Sequence, residues 1–191
     1  MMTNNKNKKV KLTETQAILL YTLFNLVREG EFVFEFSAEK ICYFLQYFGA
    51  KKYFKLEYNN LNFCGPYSWK VKYALKYLNG SYISGFKDLN QKPFEPLLLI
   101  SDTYEDIKKI VANNNELYSI AEKTNEFLTG FYSDFTLELL STVHYIMKEK
   151  QTDDIKIIKN ELDSWNEKKG IKSSNYEYLK IAVDHLKKFN I

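Results

Sequence analysis

From residue 13 onward, apolar positions recur at helical spacing along most of the chain. Ala17, Leu20, Tyr21, Phe24 and Val27 share one helical face, Thr13 and Gln16 form a Thr-x-x-Gln capping box before it, and Gly30 marks its stop. A second helix is predicted over residues 37–48, with Ala38, Ile41, Cys42 and Leu45 on one face and Gly49 as its C-cap. The period then changes. Tyr53-Phe54-Lys55-Leu56-Glu57-Tyr58 alternates and is rich in aromatics, which predicts a strand. Asn59-Asn60 reads as a turn and Leu61-Asn62-Phe63-Cys64 as a returning strand, ended by Gly65-Pro66 because proline cannot donate to a ladder. Ser68 opens a third helix through Leu78, closed by Asn79-Gly80. Residues 82–86 read as a short strand and residues 97–100 as a buried one.

The remainder is predicted helical. Asp102 and Glu105 suit a helix start, with Ile107, Ile110 and Val111 inside; Leu117, Ile120, Ala121, Thr124, Leu128 and Phe131 form the next stripe, stopped near Gly130. Residues 135–147 are apolar nearly all round, as expected of the buried centre of a bundle. Ile155, Ile158, Leu162 and Trp165 mark another helix, and Ser174-x-x-Glu177 caps the last, whose face is Leu179, Ala182, Val183 and Leu186. The expected architecture is α+β and predominantly α-helical: about eight helices packed with a small antiparallel sheet within residues 53–100. Residues 1–11 are expected to form a disordered basic tail and residues 12–191 a single domain.

Composition changes this picture little. Two cysteines, Cys42 and Cys64, are no disulfide framework and point to a reducing cytoplasm. No apolar run approaches the ~18 residues of a membrane span. Charge is uneven: residues 1–100 carry 14 Lys/Arg against 8 Asp/Glu, residues 101–163 carry 7 against 13, and residues 164–191 carry 6 against 3. Lys6, Lys8, Lys9 and Lys11 sit in the tail, so the body is near neutral, which argues against a generic nucleic-acid binder.

Candidate chemistry is sparse. His144 lies beside Ser141 and Thr142 in the most apolar helix; the sharp reading is a catalytic base and the bland one a histidine held in the core. His185 sits near a helix end, where a cation suits the dipole. Cys42 falls on an apolar face and packs as a small hydrophobe, while nothing near Cys64 in sequence would activate its thiol. The cysteines and histidines lack zinc-ligand spacing, and no phosphate loop, dinucleotide glycine pattern or hydrolase elbow occurs, so no metal, cofactor or catalytic residue is expected. Asp134 and Glu138 stand at i and i+4, which is compatible with an acid–base pair but also with a helix start that complements the dipole. Gly65-Pro66-Tyr67 followed by Trp69 reads either as a structural corner or as an aromatic anchor for a partner.

Five blocks, in order along the chain, carry a resemblance. Glu39-Lys40-Ile41-Cys42-Tyr43-Phe44-Leu45-Gln46 with Gly49, Phe54-Lys55-Leu56 through Gly65-Pro66-Tyr67, and Leu78-Asn79-Gly80-Ser81-Tyr82-Ile83 are the first three. Leu137-Glu138-Leu139-Leu140-Ser141-Thr142-Val143-His144 and Trp165-Asn166-Glu167-Lys168-Lys169 are the others. Together they resemble the C-terminal, toxin-binding domain of DarG-type antitoxins, over roughly residues 13–189; the first half is also similar to Panacea (SocA-like) antitoxin domains. In DarG antitoxins an N-terminal macrodomain removes ADP-ribose from DNA, and the C-terminal domain blocks the toxin DarT, a DNA ADP-ribosyltransferase. The resemblance covers the second part alone. It implies a cytoplasmic, non-enzymatic antitoxin that binds a DarT-type toxin and occludes its active or DNA-binding site. It also implies that Tyr43, Phe44, Gln46, Gly65, Pro66, Tyr67, Asn79, Gly80, His144 and Trp165 are structural or partner-binding positions. Asp134, Asp153, Asp154, Glu161 and Asp163, in the acidic stretch, are the candidate partner-binding residues. The competing readings are a nucleic-acid binder using Lys6 to Lys11 and the basic first half, and a hydrolase using His144 or Cys64.

Overall fold

Thr13 opens the first helix as its sequence predicts: its hydroxyl accepts from the Gln16 N–H at 3.3 Å and its own N–H donates to Gln16 Oε1 at 3.0 Å. The computed structural model describes residues 9–58, 60–62, 65–88, 90, 92–168 and 175–191. The chain divides into two compact units, the first taking in the described residues of Met1–Leu56 and Ser68–Thr129, the second those of Glu57–Tyr67 and Gly130–Ile191.

In the first unit α1 (Glu14–Arg28) packs against α2 (Glu35–Leu45), α5 (Tyr104–Ala112) and α6 (Asn115–Leu128). Every residue of α2 is buried, including Glu35, Ser37, Glu39 and Lys40. The wholly enclosed helix is therefore α2, not residues 135–147 as the apolar pattern suggested. The start of α2 also lies two residues earlier than expected; Ser37 sits inside it, its hydroxyl accepting from the Phe34 N–H at 2.8 Å. A π-helical turn (Gln46–Ala50) follows, with Gly49 inside it at φ 125°, a value that side chains disfavour. Gly49 lies outside helical geometry, so the helix breaks there at a kink, as the glycine predicts, and the next helical turn starts beyond it. α3 (Lys51–Phe54) is a single turn, ended by Lys55 in the left-handed region at φ 47°. The strand expected over residues 53–58 does not form, because the helical turn uses its first half and Lys55 reverses the chain. α4 (Trp69–Leu78) buries Val71, Leu75 and Leu78 and packs on α2.

The expected antiparallel pairing is present as two separate two-stranded ladders. β1 (Asn60–Asn62) pairs with β2 (Gly65–Tyr67) in the second unit, with Leu61 opposite Pro66. Proline is therefore inside the second strand of this edge hairpin and not beyond its end; Phe63 and Cys64 lie outside the described residues. β3 (Ile83–Ser84) pairs with β4 (Leu98–Leu99) in the first unit. Both are shorter than predicted, and Leu98 is exposed where a buried strand was expected, since successive side chains alternate and Leu97, just before β4, takes the buried side.

The second unit packs α7 (Asp134–Lys150) against α9 (Tyr176–Lys188), α8 (Ile155–Lys168) and β2. Its core comprises Leu137, Leu140, Val143 and Ile146 of α7 with Ile158, Leu179, Ala182 and Leu186. Asn175 caps α9 through the Glu177 N–H at 2.8 Å, while Ser174 lies outside the described residues. Among the described residues there are eight helices of nine residues or more, and the fold is α+β and predominantly helical, as expected.

Candidate partner-binding surfaces

The motif residues divide by what they touch. Tyr43 and Phe44 are buried, and Phe44 packs its ring 4.7 Å from that of Phe127. Gln46 grips the backbone of Leu56 twice: its amide N–H donates to the Leu56 carbonyl at 2.9 Å, and its carbonyl accepts from the Leu56 N–H at 2.8 Å. Asn79 ends α4 and its side-chain Oδ1 accepts from the Phe86 N–H at 3.2 Å; Gly80 follows at φ 82° and its N–H donates to the Ile83 carbonyl at 2.7 Å. Gly65 takes φ 81°, and it and Pro66 are buried while Tyr67 is half-buried. Trp165 donates from Nε1 to Glu161 at 3.1 Å.

The acidic candidates are largely balanced by lysines of their own unit. Asp153 pairs with Lys187, Asp163 with Lys159, and Glu161 with Lys150 at 2.9 Å. Asp154 accepts from the Lys156 N–H at 2.8 Å at the start of α8, and Asp134 lies in the first turn of α7. An open groove of about 500 Å³ is lined by Met147, Lys148, Gln151, Thr152, Asp153 and Ile191.

His144 is fully buried, and burial together with the charge of Lys148 pushes its pKa down to about 3. It is neutral in the fold and away from the groove walls. Cys42 is buried and burial pushes its thiol pKa up, so it packs as an unreactive side chain. Cys64 lies outside the described residues. Among the described residues no group of three or more His, Cys, Asp or Glu could hold a metal ion, and no helix is long and apolar enough to cross a membrane.

Two features escaped the sequence reading. The first is a buried charged cluster: the Lys72 ammonium stands 3.2 Å from the Glu35 carboxylate, with side-chain exposures of 7% and 2%. Glu39 beside them accepts from the Ser68 N–H at 3.0 Å, and the Lys40 ammonium lies 5.1 Å from the Phe36 ring centroid. Lysine and glutamate at such spacing look like surface residues in a sequence. The second is a set of exposed aromatics beyond Trp69, which the sequence already offered as an anchor. Trp69, Tyr73 and Tyr77 stand out from α4, and in the second unit Phe135 and Tyr178 meet ring to ring at 5.4 Å beside exposed Tyr176 and Ile181. The four-residue spacing of the α4 rings was the available signal.

The chain is similar to a DNA ADP-ribosyl glycohydrolase of Thermus aquaticus, with 30% identity over 181 residues that take in 94% of this chain and 48% of that protein. It spans about half the length of the relative it matches. No protein-family profile matches the chain. The expectation of a non-enzymatic protein is overturned by this likeness, because the relative that aligns with nearly the whole chain is named for an enzyme activity.

Proposed function

We propose that the chain works in the system of a DarG-type antitoxin, with the specific task of gripping a DarT-type DNA ADP-ribosyltransferase and covering its active or DNA-binding groove. The observation that carries this reading is the likeness to a DNA ADP-ribosyl glycohydrolase across 94% of the chain, in the region where the five motif blocks stand. A glycohydrolase that removes ADP-ribose from DNA and a transferase that adds it act on one modification, and an antitoxin gains from controlling both. Residues 12–191 serve in this reading as one toxin-binding domain.

The surface chemistry supports a protein partner. Phe135, Tyr176, Tyr178 and Ile181 are exposed apolar side chains within the second unit, and aromatic side chains dominate interface hot spots. Asp134, Asp153, Asp154, Glu161 and Asp163 supply carboxylates where the toxin's phosphate-binding cations would otherwise meet DNA. Since Asp153, Glu161 and Asp163 each hold a lysine, the aromatic contacts carry most of the affinity and the acids tune approach.

The test is co-purification of the chain with a DarT-type toxin, combined with an assay of DNA ADP-ribosylation. The expected result is a stable complex and inhibition in step with the amount bound. Full transferase activity with the chain in excess would overturn the reading. Charge reversal at Asp134 and Asp154 that left binding unchanged would remove its electrostatic part. Release of ADP-ribose from modified DNA by the chain, measured in parallel, separates capture from hydrolysis.

A further inference from the structure

We propose that the exposed face of α4 is a binding surface for single-stranded nucleic acid, distinct from any toxin-binding role. Trp69, Tyr73 and Tyr77 are 56%, 56% and 48% exposed. Four residues of helix rise by about 6 Å and turn about 40° beyond a full revolution, so the three rings form a shallow spiral row. The opposite side of the helix is the core side, carrying Val71, Leu75 and Leu78, so the row faces outward.

Charge identifies the occupant. At about 100° per residue, Lys70 falls at one margin of the aromatic row and Lys76 at the other, and both are exposed. α4 has no Asp or Glu, and the stretch from residue 58 to residue 87 holds Lys70, Lys72, Lys76 and Lys87 without one carboxylate. Lys72 is taken up by Glu35, while the exposed Lys70 donates to the Lys55 carbonyl at 3.0 Å and keeps its positive charge, so Lys70 and Lys76 are the cations that flank the row. The Tyr77 hydroxyl lies 3.5 Å from the Lys11 carbonyl, which brings the exposed Lys11 to the end of the row. A polyanion with a flat aromatic group at each step fits both elements, whereas an acidic peptide uses the lysines alone and a duplex keeps its bases stacked on one another. The near-neutral sum over the whole body conceals this local excess of positive charge.

The test is fluorescence anisotropy of labelled oligothymidylate and oligouridylate, each about 15 nucleotides, with the full chain. Binding is expected at low salt, with a log–log salt slope of about −2 if Lys11, Lys70 and Lys76 each neutralise a phosphate. The tighter of the two oligonucleotides tells DNA from RNA. Tyr73→Ala and Tyr77→Ala should each weaken binding by roughly fivefold or more, and Lys70→Glu with Lys76→Glu should cut the salt slope to about −0.7, the share of Lys11. Phe135→Ala, in the other unit, should bind as the parent does. Trp69 emission, read in a Trp165→Phe chain, should be quenched by the oligonucleotide, a readout that needs no change in α4. Absence of binding and quenching, equal affinity for a duplex, or equal competition by polyglutamate would each overturn the proposal; the last would mark an acidic protein partner.

Discussion

The Gln46 side chain pairs with the Leu56 backbone as a neighbouring strand would, one hydrogen bond in each direction, at 2.9 and 2.8 Å. It thereby replaces the ladder that the segment after α3 lacks. Leu56 is buried, so its polar groups have no water to turn to. Gln46→Ala should cost about 1–3 kcal/mol in urea unfolding. Gln46→Glu keeps an acceptor for the Leu56 N–H but cannot donate to its carbonyl, and should also be destabilising.

The Glu35–Lys72 pair joins two elements of the first unit from inside. Removing one charge leaves the other buried, so Glu35→Gln or Lys72→Met should each lower stability by about 3–5 kcal/mol. The double replacement Glu35→Leu with Lys72→Met should recover much of that loss. A double-mutant cycle on thermal or urea unfolding checks this; additive losses would contradict a direct pairing.

Burial raises the Glu39 carboxyl well above its ordinary value near 4.5, against the pull of the Ser68 N–H, Lys40 and Lys72. An acid with a raised folded pKa favours the folded state when protonated. Its contribution is fully present below the ordinary glutamate range and is lost as pH rises through the folded pKa. Glu39→Gln keeps an acceptor for Ser68 and should flatten this part of the stability–pH curve, with equal or greater stability than the parent at neutral pH.

His144 has the opposite sign. Its folded pKa of about 3 lies below the ordinary 6.5, so the stability it permits is fully present above 6.5 and is lost as pH falls toward 3. The slope in that window is at most about 1.4 kcal/mol per pH unit. His144→Gln should reduce this acid sensitivity in urea unfolding between pH 4 and 6.5, and a proton NMR titration should show the His144 ring signal unmoved across the same range.

Much of the helical framework was legible because it is written locally. Thr13 and Gln16 cap α1 through their own side chains, and the apolar faces of α6, α8 and α9 recur at the period of the helix that buries them. The segment from Tyr53 to Tyr58 was misread for the same reason: a one-turn helix is too short to display its period, and an aromatic-rich run of that length satisfies the strand pattern as well. The outcome rests on Gly49 and Lys55 at positive φ and on Gln46 reaching ten residues along the chain, none of which has a periodic signature.

By itself the sequence determined the mainly helical class, most of the helices, and the blocks that resemble an antitoxin domain, since these depend on contacts within a few residues. Tertiary structure alone decided that all of α2 is enclosed, charged residues included, and that Asp153 and Glu161 are held by lysines of other segments. It also decided that Trp69, Tyr73 and Tyr77 face outward. Burial and ion pairing arise between segments distant in the chain, where the same lysine, glutamate or tyrosine is a surface group or a core group according to what packs against it.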